Sequence, residues 1–212
     1  MKALKNFFRS DKFKKTIVFL ISLLAGVCFY LYFFIDILPR FFANMENIEK
    51  NILALSIIVS SIYLFFITIL RIDTKIERFL FLSLYFIVLI LGLLRPDQQH
   101  FGETGLYAWN PLGFLHDIQG NRASLIIMII NLVIFLPMYF LLAHSNIFKS
   151  FVTRLIFFEI FAFLIEFLQA KLKVGTFDLA DIVLYNLSFF AGYFLFLPIL
   201  KFLDKRQTIK EE

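Results

Sequence analysis

The segment NILALSIIVSSIYLFFITIL, residues 51–70, decides the class of fold. It carries no charged side chain and is as long as the ~20 apolar residues that a helix needs to cross the hydrocarbon core of a bilayer. The whole chain has the same character, because 60% of its 212 residues are hydrophobic and 31 are Phe. Average globular domains are roughly half apolar. We therefore predict an all-α, polytopic membrane helix bundle.

Charged residues bound six apolar runs, and we predict a transmembrane helix in each of them. The predicted spans are about 16–38, 51–70, 79–94, 124–143, 150–169 and 180–200. The third is short, so we expect it to tilt little or to begin earlier. The first is longer than the ~7–15 residues of a signal-peptide core and has no cleavage site after it, so we expect it to be retained.

The distribution of basic residues predicts the orientation. Fifteen of the 21 Lys and Arg lie in the four segments that are cytoplasmic if the N-terminus is inside. Cytoplasmic segments of membrane proteins carry such an excess, so we predict both termini inside. The net charge of +5 then reflects topology, and we expect the lipid bilayer and no nucleic acid as partner.

The spans and their flanks divide the chain into four parts. These are a basic cytoplasmic tail (1–15), a three-helix membrane part (16–94), a second membrane part with an outside loop (95–200) and a cytoplasmic tail (201–212). In the outside loop, Tyr107 and Trp109 suit a membrane interface. Asn110 and Pro111 are typical of the N-cap and first residue of a short helix.

Polar residues gather in the last three spans, on the side that the topology places outside. An ionisable residue within a span is costly and usually faces the bundle interior or a wet cavity. Glu166 and Glu159 are seven residues apart and share one face of the fifth helix, with Glu159 about 10 Å deeper. We predict an outward-facing polar pocket with Glu159 as a further contributor. Its members are Asn131, Glu166, Gln169, Asp178, Asp181 and Asn186.

Simpler roles remain open for several of these residues. Asp178 fits the N-cap of the sixth helix and Asp181 its first turn, where acidic side chains are favourable. Asn131 and Gln169 can instead form hydrogen bonds between helices.

The same residues belong to an ordered series of motifs. The series is N-x-x-x-F-x-P from Asn131, I-E-x-x-Q from Ile165, F-D-x-x-D from Phe177, and Gly-Tyr at 192–193. In this order and spacing, roughly residues 90–197 resemble the VanZ-like family. These are small bacterial membrane proteins, named for a member associated with resistance to the glycopeptide teicoplanin. The resemblance implies a multi-pass protein of the bacterial cytoplasmic membrane.

The chain departs from the family pattern at several positions, while the acidic residues are kept. The family usually has Gly where this chain has Tyr139, a basic residue at Thr176 and an acidic residue at Ala180. It has Asn at the position of Tyr185, and small glycines at those of Ser188 and Phe189. Asn186 lies one position after the expected Asn. A role that depends on a basic residue at position 176 therefore does not carry over.

The resemblance implies a role in resistance to teicoplanin-type glycopeptides, with the drug or a lipid-linked envelope precursor as ligand of the pocket. An alternative is a membrane enzyme that acts on lipid-linked envelope precursors. In that case Glu166, Asp178 and Asp181 would hold a divalent cation, since Mg²⁺ and Ca²⁺ prefer oxygen ligands, or Glu166 would act as a general base. A third is transport, with Glu159 and Glu166 as a proton path. No cofactor is expected apart from that cation, and no reaction can be assigned.

Overall fold

The computed structural model describes residues 10–35, 48–94, 107–117 and 122–211, and these are almost entirely helical, as predicted. The helices are α1 (Asp11–Phe29, continued by a π-helical segment, Tyr30–Phe34), α2 (Ile48–Leu70), α3 (Lys75–Leu93), α4 (Gly113–Asp117), α5 (Arg122–Ile134), α6 (Met138–His144), α7 (Phe151–Lys171) and α8 (Leu179–Glu211). Two strands of two residues each, β1 (Tyr107–Ala108) and β2 (Phe177–Asp178), pair in parallel. The sequence did not predict this pairing.

Within the described part of the chain, four helical stretches are long and apolar enough to cross a membrane. They are Asp11–Phe34, Ile48–Leu70, Lys75–Leu93 and Leu179–Leu203. They correspond to the first, second, third and sixth predicted spans. The third begins at Lys75 and has 19 residues, so it starts earlier than the predicted 79–94.

The fourth and fifth predicted spans are not among these four stretches. The fourth is two helices, α5 and α6, separated by a turn at residues 135–137. Pro137 has no N–H to donate to Val133, and the Leu136 N–H bonds the Val133 carbonyl instead, at 3.2 Å. The fifth is the single helix α7, which begins with a capping box formed by Ser150 and Thr153.

The chain forms two compact units, Met1–Leu84 and Tyr85–Glu212. The division falls inside α3, whereas the two predicted membrane parts meet after residue 94. In the first unit α1 packs on α2, and Gly26 allows this approach, because a Cβ there would lie 2.5 Å from Val59 Cγ2. The core of this unit contains Val18, Leu64 and Ile67.

The second unit has an aromatic core between α5, α6, α7 and α8. Phe158 stacks on Phe189 with centroids 4.4 Å apart, and Phe135 lies 4.2 Å from the ring of Tyr185. Phe135, Phe158 and Phe189 are fully buried. These rings account for part of the high Phe content of the chain.

Side chains from neighbouring helices donate hydrogen bonds to backbone carbonyls that lose their helical partners at the break before α6. The Tyr85 hydroxyl donates to the Ile134 carbonyl at 2.7 Å, and the Ser188 hydroxyl donates to the Leu132 carbonyl. Gly192 lies against the Leu136 carbonyl, where any Cβ would collide. Broken helices are tolerated in apolar surroundings when the freed groups find such partners. Ser188 and Gly192 thereby hold α8 against the break.

Candidate functional site

Glu166 is the centre of the candidate site. It lies on the buried face of α7 with Ala162, Ile165 and Ala170, and its side chain is 0% exposed. Its Oε2 accepts a hydrogen bond from the backbone N–H of Asp178 at 3.0 Å, and its Oε1 accepts one from the Tyr185 hydroxyl at 2.9 Å. A buried carboxylate needs such donors. Glu166 thus joins α7 to the start of α8 through both of its oxygens.

Tyr185 is a member of this site that sequence reasoning missed. In the sequence it stands out only as a departure from the family pattern, which has Asn there. A further signal was available, since Tyr185 is four residues after Asp181 and side chains at that spacing share a helix face. Tyr185 is 1% exposed, and its hydroxyl therefore needs a buried acceptor, which Glu166 supplies.

Asp178 and Asp181 occupy the positions that the capping interpretation predicts. Asp178 Oδ1 accepts from the backbone N–H of Ala180 at 2.8 Å, as an N-cap residue does. Asp181 lies in the first turn of α8. The partial positive charge of the helix start favours both carboxylates. Capping therefore accounts for one role of each residue. Asp178 is also partly exposed.

Asn131 connects α5 to the same end of α8. Its Nδ2 donates to Asp181 Oδ1 at 2.7 Å, and its side chain is buried. Asn131, Glu166, Asp178 and Asp181, together with Tyr185, are therefore gathered by hydrogen bonds around the N-terminus of α8. We call these five residues the α8-entry cluster.

The short strand pair fixes the backbone beside this cluster. Tyr107 is paired with Phe177 and Ala108 with Asp178, so the segment between α3 and α4 lies alongside the entry to α8 at these two residues. Asn110 then caps the following turn, with its Oδ1 accepting from Leu112 N at 3.1 Å, and α4 begins at Gly113. The short helix expected after Asn110 and Pro111 is present as α4, five residues long.

Glu159 and Asn186 form a separate pair deeper along the helices. Asn186 Nδ2 donates to Glu159 Oε2 at 3.3 Å and also to the carbonyl of Ile182 at 3.0 Å. Glu159 lies two turns before Glu166 on α7, about 10 Å along the axis. The predicted pocket residue Asn186 thus contacts the further contributor Glu159.

Gln169 is held at a different place. Its Nε2 donates to the carbonyl of Leu93, at the end of α3, at 2.8 Å. The last carbonyls of a helix lack partners within the helix, and a side-chain amide satisfies one of them here. Gln169 thus forms a hydrogen bond between two helices, which is the simpler of the two roles predicted for it. The side chain packs beside Gly175, where an added Cβ would lie 3.6 Å from Gln169 Cβ.

Several residues that depart from the family pattern make specific contacts. The Tyr139 hydroxyl accepts from Arg154 Nη1 at 3.1 Å, and Ser188 donates to Leu132 as described above. Ala180 is buried, and its Cβ would lie 3.9 Å from a Cβ added at Gly113. These side chains fit their surroundings in this chain, and the hydrogen bonds use Tyr and Ser where the family pattern has smaller residues.

The cluster is rich in carboxyl oxygens that accept hydrogen bonds. Among the described residues, no group of three or more His, Cys, Asp or Glu side chains is gathered as metal ligands would be. Both oxygens of Glu166 already accept bonds from protein donors. The divalent cation at Glu166, Asp178 and Asp181 therefore stays a prediction.

Comparison of the chain with models of protein families found no match, and comparisons with curated proteins and with solved structures found none either.

Proposed function

We propose that this chain is a multi-pass protein of a bacterial cytoplasmic membrane, related to the VanZ-like family, that lowers susceptibility to teicoplanin-type glycopeptides. The proposal includes six spans and both termini in the cytoplasm. It assigns α5 with α6 to the fourth span and α7 to the fifth.

The observation that carries the proposal is the set of hydrogen bonds between motifs. Asn131 of the first motif bonds Asp181 of the third at 2.7 Å, and Glu166 of the second bonds the backbone of Asp178 at 3.0 Å. The residues that carry the family resemblance come from three separate parts of the sequence. A shared functional cluster requires such direct contact. Separate local roles, such as capping, would not require it.

The length of α7 and the hydrogen bonds of its acidic residues support its assignment as a span. Its 21 residues extend about 30 Å at 1.5 Å per residue, which matches the hydrocarbon core. Its two acidic residues, Glu159 and Glu166, accept hydrogen bonds from α8 and the residue before it. Ionisable residues in spans are paired in this way.

The proposed role follows from where the cluster would lie. With the N-terminus inside, α8 begins at the outer face, so Asp178 would meet the outer leaflet with part of its side chain exposed. Teicoplanin-type drugs carry a lipid tail and act there on cell-wall precursors. The partly exposed Asp178, whose backbone is held by Glu166, can bind the drug or the precursor and change its accessibility.

The test is drug susceptibility in a teicoplanin-sensitive Gram-positive host. Expression of the chain is expected to raise the minimal inhibitory concentration of teicoplanin, and to have less effect on a glycopeptide without a lipid tail. Unchanged susceptibility at verified membrane expression would overturn the proposal. Turnover of polyprenyl phosphates by the purified protein would favour the enzyme instead.

A further inference from the structure

Tyr107, Trp109 and Phe177 form an aromatic platform next to the α8-entry cluster. The rings of Tyr107 and Trp109 stack with centroids 6.0 Å apart and an angle of 13° between their planes. Each also packs on Phe177, at 6.0 and 5.4 Å. Phe177 is buried, yet Tyr107 is 50% and Trp109 67% exposed. Two large rings are thus held in a fixed arrangement while much of their surface stays uncovered.

The platform continues an exposed apolar surface on α7. Phe163 contacts Phe177 edge-to-face at 5.6 Å and is 55% exposed. Further exposed apolar residues follow the helical spacing of one stripe, namely Ile160, Leu164 and Phe167. In a membrane-spanning helix, such a stripe contacts lipid chains. The buried ring of Phe177 therefore links the exposed stripe of α7 to Trp109 by direct ring contacts.

Two lysines lie at the end of the same stripe. Lys171 and Lys173 are the last residue of α7 and the residue after its C-cap, and both are exposed. Lys171 Nζ lies 5.7 Å from the ring centroid of Phe167, so its ammonium group packs over the last ring of the apolar stripe. Flexible lysines at the ends of membrane helices can extend to the phosphates of lipid headgroups.

We propose that the aromatic platform, with Lys171 and Lys173, is a docking surface for the headgroup layer of the outer leaflet. Trp and Tyr favour this layer because each combines an apolar ring with a polar hydrogen-bonding group. The lysines complement the phosphates. The inference rests on the orientation given under the proposed function, which places α7 in the bilayer and its C-terminal end outside.

Such docking would act on the α8-entry cluster through the strand pair. Ala108, between the two exposed rings, pairs with Asp178, and the Asp178 N–H is one of the two donors to Glu166. The bilayer surface would thus help to fix the backbone on which the Glu166 carboxylate depends.

Fluorescence tests this directly, because Trp109 is the only tryptophan of the chain. The full-length protein is reconstituted in vesicles of phosphatidylcholine and phosphatidylglycerol, with bromine either near the headgroup end or near the methyl end of the acyl chains. We expect blue-shifted emission and a larger loss of intensity with bromine near the headgroup. Aqueous iodide is expected to quench weakly. Strong iodide quenching without bromine quenching would overturn the inference.

A second protein provides the depth scale. The double variant Trp109→Phe, Ile160→Trp moves the fluorophore to a central, exposed position on α7, where the deeper bromine should quench more. If Trp109 is in water while the tryptophan introduced at 160 is deep, only the platform inference fails. If both are in water, α7 is not in the bilayer and the proposed topology fails as well. Protection of Trp109 by added teicoplanin, and not by lipid, would overturn the lipid assignment.

Discussion

At the scale of single residues, Glu166 is bound on both oxygens, and that predicts the cost of changing it. Glu166→Ala would leave the Asp178 N–H and the Tyr185 hydroxyl buried without their acceptor. We expect a loss of at least about 2 kcal/mol in the free energy of unfolding, because both donors lose their acceptor and each unpaired buried donor costs roughly 1–3 kcal/mol. Thermal unfolding of the purified protein in detergent measures it.

Two conservative variants separate the contribution of the Glu166 acceptor oxygens from that of the Tyr185 hydroxyl. Glu166→Gln keeps one carbonyl acceptor and should cost less than Glu166→Ala. Tyr185→Phe removes only the hydroxyl, at about 1 kcal/mol. If Glu166→Ala and Tyr185→Phe combined were as costly as the sum of the single changes, the hydrogen bond between these side chains would contribute nothing, contrary to the structure.

The response to divalent cations is also decided by Glu166. Its oxygens are engaged by protein donors, so we expect Mg²⁺ or Ca²⁺ to leave the unfolding temperature of the wild-type protein unchanged relative to a chelator. A cation-dependent rise that disappears in Glu166→Gln would support the alternative in which Glu166, Asp178 and Asp181 bind a cation.

At the scale of elements, the contact between α8 and the break before α6 depends on Gly192. A Cβ at this position would collide with the Leu136 carbonyl, and backbone cannot move aside as a flexible side chain can. Gly192→Ala is therefore expected to destabilise the second unit by more than about 2 kcal/mol, since overpacking costs roughly 1–3 kcal/mol and occasionally more. Detergent-solubilised protein would elute as aggregate or unfold at lower temperature.

Gly92 in α3 is the matched control. A Cβ there meets nothing within 4 Å, and Ala favours helix over Gly by about 1 kcal/mol. Gly92→Ala should therefore be neutral or stabilising. Equal effects of the two substitutions would mean that the close approach of α8 to Leu136 is absent in solution.

The elements differ in how far the sequence predicts them. Runs such as 51–70 predict their helices well, because length and apolar content alone decide them. Pro137 predicts a kink, but the full break into α5 and α6 depends on Tyr85 and Ser188, whose hydroxyls replace the lost helical partners. The pairing of β1 with β2 could not be predicted, since two residues show no periodicity.

The candidate site is predictable to a similar degree. Glu166 and Asp181 stand out because an acidic residue in an apolar run needs a partner. Gln169 is different, since its acceptor is the backbone carbonyl of Leu93, and side-chain patterns carry no information on which carbonyls lack partners. Tyr185 is hard to single out because tyrosine is ordinary in an aromatic-rich helix.

At the scale of the whole molecule, the proposed orientation predicts which residues an impermeant thiol reagent reaches. The starting variant is Cys28→Ser, which removes the only cysteine. Added to it singly, Leu112→Cys should be labelled from outside intact cells, whereas Ser10→Cys and Asn146→Cys should be labelled only after permeabilisation. All three positions lie outside the proposed spans. Labelling of Ser10→Cys and protection of Leu112→Cys in intact cells would reverse the orientation.

We propose that resistance depends on the α8-entry cluster, and teicoplanin susceptibility of the Glu166→Gln variant tests this dependence most directly. The matched control is Glu49→Gln, the same change at an exposed position on α2. At membrane levels equal to wild type, Glu166→Gln is expected to lose most of the gain in teicoplanin minimal inhibitory concentration, and Glu49→Gln to keep it. Full protection by Glu166→Gln at equal protein level would contradict the account.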